Sequence, residues 1–124
     1  MRYVSTTNDD FTNLMANAKD YKVGDVIRNS GNSMSANFRR NHGYLLPTGY
    51  LSSEGRNSLK TWTENQDYGV MIMFIYSYWT VVGALNVDTG DYWITDEKFS
   101  QTTGRHMNHI RRGLLCFATK NASW

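Results

Sequence analysis

The chain has 124 residues, a length that fits one domain and excludes a multidomain enzyme. Thirteen Lys and Arg against eleven Asp and Glu give a formal net charge of +2, so only a local cluster of charge can indicate an acidic partner. Cys116 is the only cysteine, which excludes an intrachain disulfide framework and a cysteine-based zinc site. No apolar signal core precedes Asp10, and the apolar run Val70–Ile75 is too short to cross a bilayer, so we expect a soluble, cytoplasmic protein.

The first half of the chain, residues 1–66, is predicted to be mainly helical. Cap candidates at Ser5–Asn8 precede apolar residues at helical spacing, which predicts a first helix that continues to Lys19. A brief strand is expected at Val23–Ile27, followed by a turn at Asn29–Asn32. Ser33 as a cap predicts a second helix through Phe38, and Gly43 would end it.

A third helix is expected around Leu59 and Trp62, after a cap region at Ser52–Gly55. From Val70 to Val82 the chain is rich in β-branched and aromatic residues, a composition typical of strands. Residues 86–95 read as a hairpin with Gly90 at a position of positive φ. These patterns predict a single α+β domain, 1–124, with about three antiparallel strands and a sheet-plus-helix part at 67–124.

The last predicted helix covers Thr103–Arg112, capped by Ser100, Thr102 or Thr103. Its helical projection places an apolar stripe toward the sheet, formed by Met107, Ile110 and Leu114. On the opposite side the projection places basic residues that face solvent or a partner: Arg105, His109 and Arg112.

Charge is unevenly distributed around this helix. Residues 98–120 contain five Lys or Arg and no acid, whereas residues 86–97 contain four acids and no base. A basic face of this kind can bind phosphates, and the binding candidates are Arg105, His109, Arg111 and Arg112. The alternative is a solvated face that the neighbouring acidic hairpin screens.

Aromatic residues of the strands supply a second group of binding candidates, namely Tyr76, Tyr78 and Trp79, which could stack on unpaired bases. The same side chains could instead form cross-strand pairs in the core. Because side chains alternate along a strand, either Tyr76 and Tyr78 or Trp79 should be left partly exposed.

Two histidines, His106 and His109, lie three residues apart, a spacing that can present two imidazoles to one metal ion. A third ligand would have to come from His42 or the acidic hairpin, so we expect neither a metal nor a cofactor. The pair could also act as base and acid in metal-independent cleavage of RNA, with Arg105 stabilising the transition state. Cys116 stands in an apolar run and is expected to be a buried thiol.

The second half of the chain combines three motifs: a Ser-Tyr-x-Thr strand at Ser77–Thr80, a short hairpin, and an aromatic-Ser-x-Thr-Thr-x-x-His helix start at Phe99–His106. In these motifs it resembles a domain of unknown function in small bacteriophage and mobile-element proteins. The resemblance covers roughly the last fifty residues. It implies a phage or prophage accessory protein in the cytoplasm of a bacterial host, and it brings no assigned activity.

These observations give three functional hypotheses. The leading one is a non-enzymatic protein that binds and inhibits a host protein or nucleoprotein, for example a counter-defence protein of the anti-CRISPR class. The second is a regulator that binds nucleic acid through the basic helix. The third is a small metal-independent ribonuclease.

Overall fold

The computed structural model describes residues 2–29, 34–41, 52–64, 69–78, 80–96 and 101–121; within these ranges, the side chains of residues 8, 9, 41 and 101–103 are not described. The elements in chain order are β1 (Tyr3–Thr6), α1 (Asn8–Ala16), a 3₁₀ turn (Ala18–Asp20), β2 (Val26–Asn29), β3 (Met34–Asn41), α2 (Ser53–Thr63), β4 (Val70–Ser77), β5 (Thr80–Asn86), β6 (Tyr92–Ile94) and α3 (Gln101–Lys120).

All six strands form one mixed sheet, in the order β1-β2-β3-β4-β5-β6. β1 and β2 are parallel, with α1 in the connection between them, and every other neighbouring pair is antiparallel. The α+β class is therefore confirmed, and the expected antiparallel strands β4–β6 are present. The count of about three strands was too low, because β1, β2 and β3 lie in the part of the chain that we predicted to be mainly helical.

β3 replaces the helix that we predicted after Ser33, and that prediction was wrong. Met34, Ala36 and Phe38 are fully buried, whereas the intervening Ser35 and Asn37 are only half-buried. This alternation has the period of two that a strand requires. β3 pairs with β4 over its full length, from Met34 to Asn41. The proposed cap Ser33, the stop at Gly43 and most of the expected turn after Asn29 lie outside the described residues.

The other two predicted N-terminal helices are confirmed. The hydroxyl of Thr7 accepts a hydrogen bond from the N–H of Asp10 (3.3 Å) and caps α1. In the same way, the hydroxyl of Ser52 accepts from the N–H of Gly55 (3.3 Å) at the start of α2. The strand expected at Val23–Ile27 begins later, at Val26, because Gly24 has a φ of 97° and turns the chain before it.

One face of the sheet is covered by α1 and α3, which pack against each other and against the sheet. The inward stripe of α3 is confirmed, since Met107, Ile110 and Leu114 are buried, and the helix continues beyond Arg112 so that Phe117 is buried as well. Gly113 lies at the contact of the two helices: a Cβ there would be 3.1 Å from Met15 Cβ and 3.2 Å from the carbonyl oxygen of Thr12.

The opposite face has a second, smaller core that α2 covers. Leu59 and the partly buried Trp62 of α2 pack in a cluster with alternate side chains of β4 and with Trp93 of β6. β4 is thus buried on both faces, which explains its almost continuous apolar sequence. The hairpin β5–β6 turns as predicted, with Gly90 at a φ of 86°.

Within the part of the chain that the structure describes, none of the helices has the length and apolar character needed to cross a membrane.

Candidate functional site

The outer face of α3 is the candidate site that the sequence analysis singled out, and we define it by its exposed residues: Arg105, Asn108, Arg111, Arg112, Leu115, Cys116 and Thr119. α3 contains no acidic residue over its whole length. None of its three arginines forms an ion pair with any described residue. The arginines of this helix therefore present three positive charges that the described part of the fold does not neutralise.

Beside the arginines, this face exposes apolar surface. Leu115 is 61% exposed, the most of any large hydrophobic side chain in the described residues. Cys116 is also exposed, so the prediction of a buried thiol was wrong. The physical reason is the helical period: Leu114 and Phe117 continue the inward stripe, and residues 115 and 116 between them are rotated toward solvent.

His109 does not share the exposure of the arginines. It is half-buried, and its Nδ1 lies 3.4 Å from the hydroxyl of Thr12 on α1. The same hydroxyl donates to the carbonyl oxygen of His109 (3.2 Å). His109 therefore belongs to the contact between α1 and α3, while Arg105, Arg111 and Arg112 remain together on the outer face.

His106 lies on the sheet side of α3 and is only 2% exposed. Its Nδ1 is 2.8 Å from the hydroxyl of Ser77 at the end of β4, and the ring of Tyr78 lies beside it at 5.9 Å between centroids. Burial lowers the pKa of His106, and the neighbouring His109 lowers it further. Its Nε2 has no hydrogen-bond partner among the described residues. This environment favours a neutral, inaccessible imidazole.

The three aromatic candidates are not brought together as a stacking surface. Tyr76 is buried in the core that α2 covers, whereas Tyr78 is half exposed at the turn between β4 and β5. The backbone of Tyr78 has a φ of 57°, a conformation that residues other than glycine rarely adopt. Trp79 lies outside the described residues.

The two imidazoles of α3 are directed at different neighbours, one at Ser77 and one at Thr12. Over the described residues, no group of three or more His, Cys, Asp or Glu side chains is placed to hold a metal ion. His42, the remaining histidine, lies outside the described residues, and so do the side chains of the cap candidates Ser100, Thr102 and Thr103.

Two further exposed arginines, Arg28 on β2 and Arg39 on β3, were missed by the sequence analysis. Arg28 and Arg39 lie on strands whose pairing register the sequence alone does not give. The signal was present in the alternation of apolar and polar residues from Met34 to Arg39, which we had interpreted as a helix.

Comparison with protein families gives one match, to a family of unknown function, DUF8033, over residues 4–121. The chain belongs to this family. The match extends from β1 to the residue after α3 and thus covers both halves of the sheet, well beyond the C-terminal part on which the resemblance rested. No curated protein and no solved structure matches the chain. Because the family has no described activity, a function for this chain has to be argued from its surfaces.

Proposed function

We propose that this protein is a non-enzymatic binding protein that attaches through the outer face of α3 to a host protein or nucleoprotein and inhibits it. The observation that supports binding is the juxtaposition on one helix face of an exposed leucine with three arginines that form no ion pair with a described residue. The inhibitory, counter-defence role in a bacterial host rests on the resemblance to small phage proteins, which is an argument by association.

The composition of the outer face favours a macromolecular interface. Arginine is enriched at protein interfaces, where its planar guanidinium forms paired hydrogen bonds with carboxylates. Leu115 is positioned one helical turn after Arg111, so an apolar contact would adjoin a charged one. Protein interfaces commonly combine an apolar centre with a polar rim, and an exposed leucine beside arginines fits this arrangement.

The enzymatic hypothesis receives less support from the geometry. A general acid or base has to come within hydrogen-bond distance of the proton that it transfers. His106 is 2% exposed and adjoins Ser77, and His109 adjoins Thr12, so neither imidazole stands free beside Arg105. A ribonuclease would have to lose turnover, with substrate affinity retained, in His106→Ala or His109→Ala.

Nucleic acid is the second candidate partner of this face. The three arginines with no acid along α3 would suit phosphates as well as carboxylates. The two candidates differ in the contribution of Leu115 and in their response to salt. Phosphate binding weakens steeply as salt rises from about 50 to 200 mM, whereas an interface with a substantial apolar part weakens much less.

The proposal is tested by charge reversal with a matched control. The test variant is Arg105→Glu/Arg112→Glu, and the control is Lys19→Glu/Lys60→Glu, which changes the net charge equally at exposed positions on other elements. The tagged proteins are purified from bacterial host cells, and the partners that co-purify are quantified by mass spectrometry. We expect the partner to be lost from the test variant and kept by the control, with unchanged thermal unfolding in both.

The variant Leu115→Ser distinguishes a protein partner from nucleic acid. Weakened capture in this variant, with binding that survives moderate salt, supports a protein interface. Unchanged capture, together with loss of binding at moderate salt, supports nucleic acid. Equal capture by the wild type and by both charge-reversal variants would show that the outer face of α3 is only a solvated surface.

A further inference from the structure

The sheet face opposite α1 and α3 is divided into a covered and an open half. α2 packs over β4, β5 and β6 on this side. The strands β1, β2 and β3 continue the same face beyond α2, and we call this part the open sheet face. Strand alternation and register assign seven residues to it: Tyr3, Ser5, Val26, Arg28, Ser35, Asn37 and Arg39.

The residues of the open sheet face are aligned across the strands. In one row Tyr3 is paired with Val26, and Val26 with Asn37. In the next row Ser5 is paired with Arg28, and Arg28 with Ser35. Arg39 lies four residues along β3 from Ser35, roughly 13 Å away, because a strand advances about 3.4 Å per residue. The two arginines therefore lie at different ends of the face.

Among the residues that the structure describes, no helix covers this face, and its charged side chains are positive. Tyr3 is 57% exposed, and the side chains of Arg28 and Arg39 are exposed as well. β1, β2 and β3 contain no acidic residue. Neither arginine forms an ion pair with any described residue. The unneutralised charge sits on a surface that also offers hydroxyl and amide groups.

A shallow cavity of about 330 Å³ adjoins Arg39 and extends past Asn37 to Val26 and Asp25. Asp25 lines this cavity, and its carboxylate accepts hydrogen bonds from the backbone N–H groups of Lys22 (2.8 Å) and Arg2 (2.7 Å). These bonds keep the pKa of Asp25 below its usual value and hold the carboxylate in place. Its carboxylate also lies 3.9 Å from Nε of Arg2, so the ion pair that the described residues give Asp25 is with Arg2 and not with Arg39.

We propose that the open sheet face binds single-stranded nucleic acid. Arg28 and Arg39 would bind phosphates, and the exposed ring of Tyr3 would stack on an unpaired base. Asn37 and the two serines supply donors and acceptors for base edges. A duplex fits this surface less well, because its bases are already stacked on one another and unavailable to an aromatic ring. The proposal concerns a different surface from the outer face of α3 and does not depend on the function proposed for that face.

Adjacent residues of β3 provide the matched control. Arg39 and Arg40 are both exposed, but they point to opposite faces of the sheet, since Arg40 is paired with Met71, which packs against the core beneath α1 and α3. The probe is a fluorescein-labelled oligothymidine of about 12 nucleotides, and its binding is followed by anisotropy from about 50 mM salt upward.

We expect Arg39→Ala to weaken binding about five- to tenfold and to reduce the slope of log K against log salt by about 0.7, the value for one phosphate contact on a single strand. Arg40→Ala should bind like the wild type. Tyr3→Ala should lose at least about fivefold through the missing stacking contact. Tyr92→Ala, which removes an exposed tyrosine at the opposite edge of the sheet, should bind normally.

Several outcomes would overturn the proposal: no binding of the probe at low salt, equal losses in Arg39→Ala and Arg40→Ala, or tighter binding of a duplex of the same length. A loss of probe binding in Arg105→Glu/Arg112→Glu with none in Arg39→Ala would assign the probe to α3 instead. Unchanged thermal unfolding of each variant shows that a loss of binding reflects the surface and not the fold.

Discussion

The two faces of the sheet differ in what covers them. Beneath α1 and α3 the strands β2 and β3 contribute the buried side chains of Ile27, Met34, Ala36 and Phe38. On the other face, the same two strands carry Arg28, Asn37 and Arg39, and no described element lies over them. Each of these strands therefore contributes alternate residues to the core and directs the residues between them to the other face. The comparison separates side chains that stabilise the fold from the exposed side chains on which the proposal for the open sheet face rests.

The largest expected effect comes from a charge placed under α3. Ile110 is fully buried in the core beneath α1 and α3, so Ile110→Asp would bury a carboxylate without a partner. We expect it to lower the free energy of unfolding by about 4 kcal/mol or more. Arg112→Asp on the exposed side of the same helix should change it by less than about 0.5 kcal/mol. Chemical denaturation measures both, and equal stabilities would contradict the packing of α3.

A smaller effect tests the contact between α1 and α3. A Cβ on Gly113 would overlap Met15 Cε and crowd the carbonyl oxygen of Thr12 (3.2 Å). Gly113→Ala should therefore destabilise the fold by about 1–2 kcal/mol, although alanine is the better helix former. At Gly104, on the same helix, a Cβ would meet no described atom within 4 Å. Gly104→Ala should stabilise the fold by about 0.5–1 kcal/mol. Thermal unfolding measures both variants, and a lower midpoint for Gly113→Ala with a higher one for Gly104→Ala would confirm that only Gly113 lies at a close helix contact.

Hydropathy patterns predicted α1, α2, α3 and the hairpins of β4–β6, because in these elements local sequence and tertiary burial agree. The inward stripe of α3 followed from its spacing alone. β3 was mistaken for a helix because a cap candidate preceded it and the two arginines at its end hid the alternation. β1 was missed because two of its four residues, Ser5 and Thr6, were interpreted as cap candidates, and only pairing with β2 makes Tyr3–Thr6 a strand.

The candidate site was predictable where it depends on a single element. The exposure of Arg105 and Arg112 was predicted from one helical projection. The positions of His106 and His109 do not, because they depend on Ser77 and Thr12, which are distant in sequence. The open sheet face was beyond prediction for the same reason: it exists only once β1, β2 and β3 are placed side by side and α2 is seen to cover the other strands.

The sheet face beneath α1 and α3 also contains a group that responds to pH, namely His106. Burial lowers the pKa of His106 in the fold below the usual 6.5, so on acidification the unfolded chain takes up a proton before the folded one. Stability should be complete above about pH 6.5 and should fall as the pH decreases below it. Asp25 has a lowered pKa and loses its contribution only below its usual 3.8, so the two ranges are separate.

Urea unfolding at about pH 7.5 and 5.5 measures this dependence. In His106→Gln the side chain no longer titrates, so we expect most of the decrease between the two pH values to disappear. A decrease of the same size in wild type and variant would show that His106 does not cause it.

The smallest expected effect belongs to the open sheet face. In Arg28→Ala/Arg39→Ala both lost side chains are exposed and without an ion pair among the described residues, so no buried partner is left unsatisfied. Alanine is slightly less favourable in strands than the residues usual there, and we expect a change in unfolding free energy within about 0.5 kcal/mol. A loss above about 1 kcal/mol would mean that the arginines contribute to the fold, and their binding role would then need variants that keep the charge. Unchanged stability of Arg28→Ala/Arg39→Ala together with weakened oligonucleotide binding would distinguish the two faces of the sheet by experiment. The face beneath α1 and α3 would lose stability on a polar substitution such as Ile110→Asp, whereas the open sheet face would lose only binding.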